Sequence, residues 1–220
     1  MCDAGSRPRL TYDHRGAVER LRAADPALAK VIDAVGPFEL RPQGTPYESL
    51  FRAILYQQLA GTAARAIERR VLDLFGGAIP APPELLKADE ESLRKAGLSR
   101  QKIRYLKDLA QKALEGLLGP GLASLSDDEV VRRVTSVKGI GRWTAEMLLM
   151  FCLGRPDVFP ADDLGVRKGI QRVYGLPGVP TQKEARAIAE RWRPYRSVAT
   201  WYLWRAARAI TMEDDREAVE

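Results

Sequence analysis

Two adjacent carboxylates, Asp162 and Asp163, form the part of this sequence best suited to chemistry. They follow the apolar segment Phe-Pro-Ala of residues 159–161 and stand at the start of a helical pattern. An aspartate at a helix start usually caps the helix by accepting a backbone N–H, but one cap is sufficient. A fixed carboxylate can also stabilise positive charge in a transition state or deprotonate a positioned water molecule. The pair is therefore a candidate for catalysis as well as for capping.

A second candidate is the short turn formed by Lys138, Gly139, Ile140, Gly141 and Arg142. The two glycines allow positive φ and close approach of another backbone. The turn leads directly into an apolar helix, whose free N–H groups and dipole favour an anion, and the flanking bases add positive charge. These features predict a phosphate-binding site that reads no base sequence. The alternative is an ordinary tight turn between two helices.

The elements that position these residues are predicted to be helices. Apolar residues recur at helical spacing, and the alternation typical of half-buried strands is missing throughout. Ser126 and Glu129 have the spacing of a capping box. The fold class is therefore all-α, with helices that include His14–Ala24, Pro26–Val35, Thr62–Phe75, Ser99–Leu118, Trp143–Phe151, Asp163–Tyr174 and Tyr195–Met212.

Composition limits the classes of function. The chain has 220 residues, a net charge of +6 and a pI near 9.4, which favours a polyanionic partner. Cys2 and Cys152 offer neither a disulfide framework nor zinc-ligand spacing. A single histidine, His14, argues against a histidine-based metal site or a Ser-His-Asp triad. The N-terminal residues lack the apolar run of a signal peptide, and no segment is long enough to span a membrane, so we expect an intracellular location.

Several segments together resemble the helix-hairpin-helix DNA glycosylase superfamily, and within it the 3-methyladenine DNA glycosylase II branch. The motifs are Gly-Ile-Gly-Arg-Trp-Thr-Ala at 139–145 and Asp-Val-Phe-Pro-Ala-Asp-Asp at 157–163, with further similarity at 53–64 and 190–204. The resemblance covers roughly residues 45 to 210. It implies a two-lobed helical fold with the active-site cleft between the lobes, without the N-terminal β domain of a well-known bacterial relative.

The resemblance also implies how the chain divides. We expect residues 1–45 and 156–220 to form a terminal helical lobe. Residues 46–155 would form a central lobe, with the helix-hairpin-helix at about 134–151.

By this resemblance the chain is expected to be a monofunctional DNA glycosylase of base excision repair. It would flip out alkylated purines of the 3-methyladenine and 7-methylguanine type and excise them hydrolytically, leaving an abasic site. Asp163 matches the family's essential carboxylate, and Asp162 would cap the helix or orient its neighbour. Trp143 stands at or beside the position where bifunctional relatives carry a Schiff-base lysine, so strand cleavage is not expected.

The resemblance further assigns the substrate pocket to Trp143, Trp204, Met147 and Leu164. Cationic alkylated bases stack well on tryptophan, while Met147 and Leu164 stand where a better-known relative has tyrosines. Gln58 falls at the position that fills the gap left by a flipped base, with Leu59 as the alternative minor-groove wedge. Without the resemblance, Gln58 is a polar residue at a helix end.

No cofactor is expected to be required, and the four-cysteine motif of an iron–sulfur cluster is absent from the sequence. A structural Na⁺ or K⁺ could bind the backbone carbonyls of Thr135, Val137 and Ile140, as family hairpins often do. The expected partner is damaged double-stranded DNA, with no membrane, and the expected state is a monomer. The location would be the bacterial cytoplasm, with the nucleoid, or the nucleus in a eukaryote.

Two other functions stay open at this point. The chain could be a non-catalytic, structure-specific DNA-binding protein that uses the same hairpin, or a bifunctional oxidised-base glycosylase. The Asp162–Asp163 pair and the placement of Trp143 and Trp204 favour the monofunctional enzyme.

Overall fold

A computed structural model describes residues 10–217, with side chains described as far as residue 207. This part of the chain contains helices and no strand, which confirms the all-α prediction. The helices, in chain order, are α1 His14–Ala24, α2 Pro26–Val35, α3 Pro46–Tyr56, α4 Gly61–Asp73, α5 Pro82–Lys87, α6 Glu90–Lys95, α7 Arg100–Leu114, α8 Asp127–Val134, α9 Arg142–Phe151, α10 Leu164–Tyr174, α11 Gln182–Ala189 and α12 Arg196–Glu217, with 3-10 turns at Pro120–Ser124 and Glu190–Trp192.

The chain separates into two compact units. One consists of Met1–Pro42 with Leu153–Glu220, and the other of Gln43–Cys152. We call them the terminal unit and the central unit. The boundaries expected from the sequence, after residues 45 and 155, lie three residues from these divisions. None of the helices in the described part has the length and apolarity needed to span a bilayer.

Local capping explains where many helices begin and end. The side chain of Ser126 accepts the Glu129 amide while Glu129 reaches back to Ser126, which confirms the predicted capping box before α8. The helix predicted at Ser99–Leu118 is shorter in the structure and ends at Leu114. Gly116 has a φ of +86° there and terminates the helical path.

In the terminal unit, α10 packs against α12 at very short range. A Cβ atom on Gly169 would lie only 2.3 Å from the backbone oxygen of Leu203. Glycine at this position therefore lets the two helix backbones approach closely. The contact brings Trp204 of α12 beside the N-terminal turn of α10.

In the central unit, α3 packs against both α7 and α9. Its buried residues are Leu50, Phe51, Ile54 and Leu55, which occur at helical spacing on one side of the helix. This packing brings the C-terminal end of α3, and the turn that follows it, near the turn between α8 and α9.

Candidate functional site

The Asp163 carboxylate lies at the N-terminus of α10, in the terminal unit. It is the N-cap residue, and its Oδ1 accepts the backbone N–H of Val166 at 2.9 Å. The same oxygen accepts the indole N–H of Trp204 at 3.2 Å. Asp163, and not Asp162, therefore caps the helix. Of the two roles expected for Asp162, capping the helix or orienting its neighbour, the structure excludes the first. Two donors from two helices hold the Asp163 carboxylate in one orientation.

Asp162 has a different environment. Its Oδ1 lies 3.7 Å from Nη2 of Arg186, and both side chains are nearly half exposed. An exposed ion pair of this length contributes little to stability. The structure thus places Asp162 in a surface contact with α11, beside the capping carboxylate.

Gly165 also belongs to the site, although it was not predicted from the sequence. A Cβ atom built there would lie 3.0 Å from Asp163 Oδ1 and 3.2 Å from Cδ1 of the Trp204 ring. The absence of a side chain lets the indole reach the carboxylate. Glycine within a helix lowers helix stability by about 1 kcal/mol relative to alanine. Its presence in the first turn of α10 is therefore a sequence signal, although a weak one, that a side chain is not tolerated there.

The predicted hairpin lies between α8 and α9 in the central unit. Gly139 has a φ of +81°, and a Cβ atom there would lie 2.1 Å from the Tyr105 ring. Gly139 is therefore required both by its backbone conformation and by the aromatic ring of α7. Gly141 is the N-cap of α9 and has no side chain to satisfy the first N–H groups of the helix, which suits an anion at this position.

The two basic residues of the hairpin differ in their surroundings. The Lys138 side chain is 70% exposed, with Nζ 3.7 Å from Oδ1 of Asp108. The Nε of Arg142 donates to Oε1 of Glu146 at 3.0 Å, and that glutamate side chain is only 5% exposed. Part of the positive charge predicted for the hairpin is therefore offset by carboxylates, and Lys138 presents its charge more openly than Arg142.

Asp108 of α7 also fixes the backbone of the hairpin. Its Oδ2 accepts the Lys138 amide at 2.8 Å and lies 3.4 Å from Nζ of Lys112. Burial alone would raise the pKa of Asp108, but the Lys138 amide and the neighbouring lysines hold this pKa below its usual range. The carboxylate is therefore a stable acceptor for the turn.

The carbonyls expected to bind a monovalent cation belong to this same turn. The Val137 carbonyl accepts the Ile140 amide at 3.1 Å, and the Lys112 ammonium donates to the adjacent carbonyl of Ser136. A carbonyl oxygen has two lone pairs, so the Val137 oxygen can accept this amide and still meet an alkali ion. The donor set is compatible with such an ion. The described residues contain no cluster of His, Cys, Asp and Glu suited to a metal.

The turn between α3 and α4, residues 57–60, contains the predicted wedge residues, and we call it the wedge turn. Gln58 has a φ of +57° and is the non-glycine residue with positive φ in the described part of the chain. Its side chain and that of Leu59 are exposed. Such a backbone conformation is costly for a residue with a side chain, and it is found often at functional sites.

The four tryptophans fall into two classes that the sequence does not distinguish. Trp192 and Trp201 are buried. Trp143, at the start of α9, is 46% exposed, and Trp204 is half-buried beside Asp163. Exposure of this size is unusual for a core tryptophan. The two tryptophans selected as pocket residues are thus the two that the structure leaves accessible.

The other two selected pocket residues are less alike. Met147 is half-buried on α9, and Leu164 is 51% exposed at the first position of α10. Trp143 and Met147 belong to the central unit, whereas Asp163, Leu164 and Trp204 belong to the terminal unit.

Comparisons with solved structures identify similar folds. A DNA-3-methyladenine glycosidase from Bacillus halodurans is 37% identical, covers 90% of this chain and 91% of that chain, and superposes with a TM-score of 0.82. The Schizosaccharomyces pombe 3-methyladenine DNA glycosylase in complex with abasic DNA is 38% identical. It covers 86% of this chain and 95% of that chain with a TM-score of 0.78.

Sequence comparisons agree with the structural ones. DNA-3-methyladenine glycosylase 1 of Schizosaccharomyces pombe is 40% identical over 184 residues, which are 82% of this chain and 81% of that protein. Residues 51–194 match the family described as HhH-GPD superfamily base excision DNA repair protein. The matched region contains the hairpin, the wedge turn and the Asp163 carboxylate. This chain belongs to the HhH-GPD superfamily of base excision DNA repair proteins.

Proposed function

We propose that this chain is a monofunctional DNA glycosylase that flips alkylated purines out of duplex DNA and hydrolyses their N-glycosidic bonds. The purines would be of the 3-methyladenine and 7-methylguanine type, and the product would be an abasic site. Support comes from family membership and from relatives named 3-methyladenine glycosylases, one of them in complex with abasic DNA. The observation that carries the proposal is the Asp163 carboxylate, held by the Val166 amide and the Trp204 indole.

The proposed role of Asp163 follows from the charge that develops in the reaction. Breaking the bond between base and sugar builds positive charge on the sugar ring. A carboxylate whose orientation is already set can stabilise this charge without reorganising. It can also position or deprotonate the attacking water. Asp162, which is paired with Arg186, is proposed to add to the stabilisation of this positive charge from further away.

Base recognition is assigned to the accessible aromatic rings and their apolar neighbours. A purine alkylated at a ring nitrogen is cationic, and its stacking on tryptophan includes a cation–π contribution of about 0.5–2 kcal/mol. Trp143 and Trp204 are proposed to provide such rings, and Met147 and Leu164 to provide apolar surface. Because this recognition depends on charge and shape, we expect it to accept several alkylated purines.

Two turns of the central unit are proposed to bind the DNA backbone and to stabilise the flipped state. The hairpin of residues 138–142 would bind phosphate through backbone N–H groups and Lys138. Gln58, or Leu59 beside it, would fill the gap left by the base. We also propose that Thr135, Val137 and Ile140 could hold Na⁺ or K⁺ near the same phosphate. The protein would act as a monomer where the genome lies, in a bacterial cytoplasm or a eukaryotic nucleus.

The proposal is tested by Asp163→Asn. Asparagine is as good an N-cap as aspartate, and its oxygen can accept both the Val166 amide and the Trp204 indole. The substitution therefore removes the charge while keeping the local structure. We expect base release from methylated duplex DNA to fall at least a hundredfold, with DNA affinity and melting temperature nearly unchanged. Released base is measured directly, and abasic sites are measured by later alkaline cleavage.

The matched control is Asp89→Asn, which makes the same change at the N-cap of α6, where the carboxylate accepts the Ser92 amide. This variant should release bases at the wild-type rate. Full activity in Asp163→Asn would remove Asp163 from the catalytic role. Wild-type protein that binds DNA tightly but releases no methylated base would favour a non-catalytic DNA-binding function.

The position of Trp143 leads to a test of the monofunctional reaction. A bifunctional enzyme forms a Schiff base between a lysine and the sugar. Borohydride reduction during the reaction should therefore trap no covalent complex between this chain and DNA. A trapped adduct would show that another lysine acts as a nucleophile.

A further inference from the structure

Gln57 connects the wedge turn to the hairpin. It is the C-cap residue of α3, and its Nε2 donates to the backbone oxygen of Gly139 at 2.7 Å. The two residues are 82 positions apart in the sequence. This hydrogen bond therefore joins the turn that would enter the DNA to the turn that would hold its backbone.

The residue that follows Gln57 is held in a strained conformation. Gln58 has a φ of +57°, which is unfavourable for a residue with a side chain. A strained conformation persists only where its surroundings determine it. On one side of Gln58, Gln57 is anchored to Gly139, and on the other side the Leu59 amide donates to the Tyr56 carbonyl at 3.3 Å.

Helix α7 contacts both the end of α3 and the hairpin. The Lys102 ammonium donates to the Leu55 carbonyl at 2.5 Å, at the end of α3. Tyr105 packs against Gly139, and Asp108 accepts the Lys138 amide. Lys102 and Asp108 are six positions apart, which corresponds to about 9 Å along a helix axis. A rigid helix thus sets the spacing of the two turns, and the Gln57 side chain is the direct bond between them.

We propose that Gln57 is a positioning residue that makes the wedge turn and the hairpin act as one unit. When the hairpin binds the backbone, Gln58 is then already oriented to fill the gap beside it. The wedge turn already has its binding conformation in the free protein. Less free energy is therefore spent on ordering this turn when the protein reaches the damaged site. This inference rests on the proposed function, because it assigns Gln57 to the step that stabilises the flipped base.

The test compares two DNA duplexes of the same sequence. One contains tetrahydrofuran, a stable analogue of an abasic site, and the other is undamaged. The measured quantity is the ratio of the two dissociation constants, obtained by fluorescence anisotropy with the full chain. A 2-aminopurine placed beside the tetrahydrofuran reports on insertion at the gap.

Gln57→Met keeps the length of the side chain and removes its hydrogen-bond donor. We expect its preference for the abasic duplex to fall about tenfold, as for the loss of one hydrogen bond, with a smaller 2-aminopurine response. Affinity for the undamaged duplex should change less than about twofold on the same grounds, because the hairpin keeps its contacts to Asp108 and Tyr105. Gln57→Lys keeps a donor and should retain most of the preference, since its added charge acts equally on both duplexes.

The matched control is Gln111→Met, which changes an exposed glutamine of the same unit that donates to Glu115. It should behave as wild type in both readouts. The inference is overturned if Gln57→Met keeps the wild-type ratio, or if it loses affinity equally for both duplexes, which would make Gln57 a support of the hairpin alone. A wild-type protein without preference for the abasic duplex would also overturn it.

Release of methylated bases, measured in parallel, separates this inference from the proposed function. If the wild-type chain releases bases and Gln57→Met keeps its preference, only the inference fails. If the wild-type chain releases no base but Gln57→Met loses the preference, the proposed reaction fails and the coupling of the two turns stands.

Discussion

The Asp163 carboxylate accepts one hydrogen bond that caps α10 and another from the Trp204 indole. A substitution at this position therefore alters helix stability and the candidate catalytic group together. Alanine would lose both hydrogen bonds as well as the charge, so a loss of activity in that variant would not identify the cause. Asparagine separates the two roles because it keeps the acceptor oxygen and loses the charge.

At the same scale, Gly165→Ala tests whether contact between Trp204 and Asp163 matters for the reaction. The new methyl group would lie 3.0 Å from the carboxylate and 3.2 Å from the indole, so the ring must move by a few tenths of an ångström. We expect single-turnover base release to fall tenfold or more, since small displacements at a reacting site are costly. Stability should change by no more than about 1 kcal/mol, because alanine is the better helix former.

The control for that change is Gly178→Ala, where an added Cβ meets nothing within 4 Å. Base release should be at the wild-type rate in this variant. An unchanged rate in Gly165→Ala would show that the reaction tolerates a displaced indole.

At the scale of elements, the hairpin depends on α7 as much as on its own glycines. The Tyr105 ring occupies the space beside Gly139, and Asp108 holds the Lys138 amide. The two glycines of the turn therefore have different functions. Gly139 allows the fold of the turn, whereas Gly141 leaves the first N–H groups of α9 uncovered.

This difference can be measured with Gly139→Ala and Gly141→Ala. A positive φ costs a non-glycine residue about 1–2 kcal/mol, and crowding against Tyr105 adds about 1–3 kcal/mol. Urea unfolding should therefore show Gly139→Ala destabilised by about 2–5 kcal/mol. Gly141 has a φ of −97° and open space around its Cβ position, so its alanine variant should differ from wild type by less than about 1 kcal/mol. Equal stabilities would contradict the packing of Tyr105 against the turn.

At the scale of the molecule, a buried carboxylate in the terminal unit links segments that are far apart in the chain. Asp25 is 2% exposed, caps α2, and accepts hydrogen bonds from the Tyr174 hydroxyl and the Trp192 indole. Burial alone would raise the pKa of Asp25, but these donors, the Leu28 amide and the charge of Arg191 hold the pKa below its usual value. The charged form is therefore the one that the folded unit stabilises.

The sign of the resulting pH dependence follows from linkage. Because the folded-state pKa of Asp25 is lowered, its stabilisation is present above the unfolded value, near 4, and is lost as pH falls through the folded value. Asp25→Asn should lower the free energy of unfolding by about 1–3 kcal/mol at pH 7. The difference from wild type should become smaller below about pH 4. Urea unfolding at several pH values measures it. Asp13→Asn, at the exposed cap of α1, is the control, and a cost for Asp25→Asn that is constant with pH would contradict the argument.

The net charge of +6 is a property of the whole molecule. Its contribution to DNA binding is measured by the salt dependence of DNA affinity. The logarithm of DNA affinity should fall with the logarithm of salt concentration, with a slope of about −0.9 for each phosphate neutralised. Lys138→Gln should reduce this slope by about 0.9, since the side chain is largely exposed at the hairpin. Lys183→Gln, an exposed lysine of α11, should leave the slope unchanged. A flat slope for the wild type would contradict binding through phosphates.

Features that depend on residues close together in the chain could be predicted from the sequence. Helical class follows from apolar periodicity, the start of α8 from the Ser126–Glu129 capping box, and the hairpin from its closely spaced glycines. These signals act over one or two helical turns, so the residues that carry them are adjacent in the chain. The carboxylate pair at residues 162 and 163 and the family motifs around it were visible for the same reason.

The folded structure was needed to show how residues far apart in the chain are used. It assigned the cap of α10 to Asp163 and placed Trp204, 41 residues later, on the same carboxylate oxygen. It also paired Arg142 with a buried glutamate and joined Gln57 to Gly139 across 82 residues. These contacts depend on which helix faces pack together, and no local pattern records the neighbour that a side chain will meet.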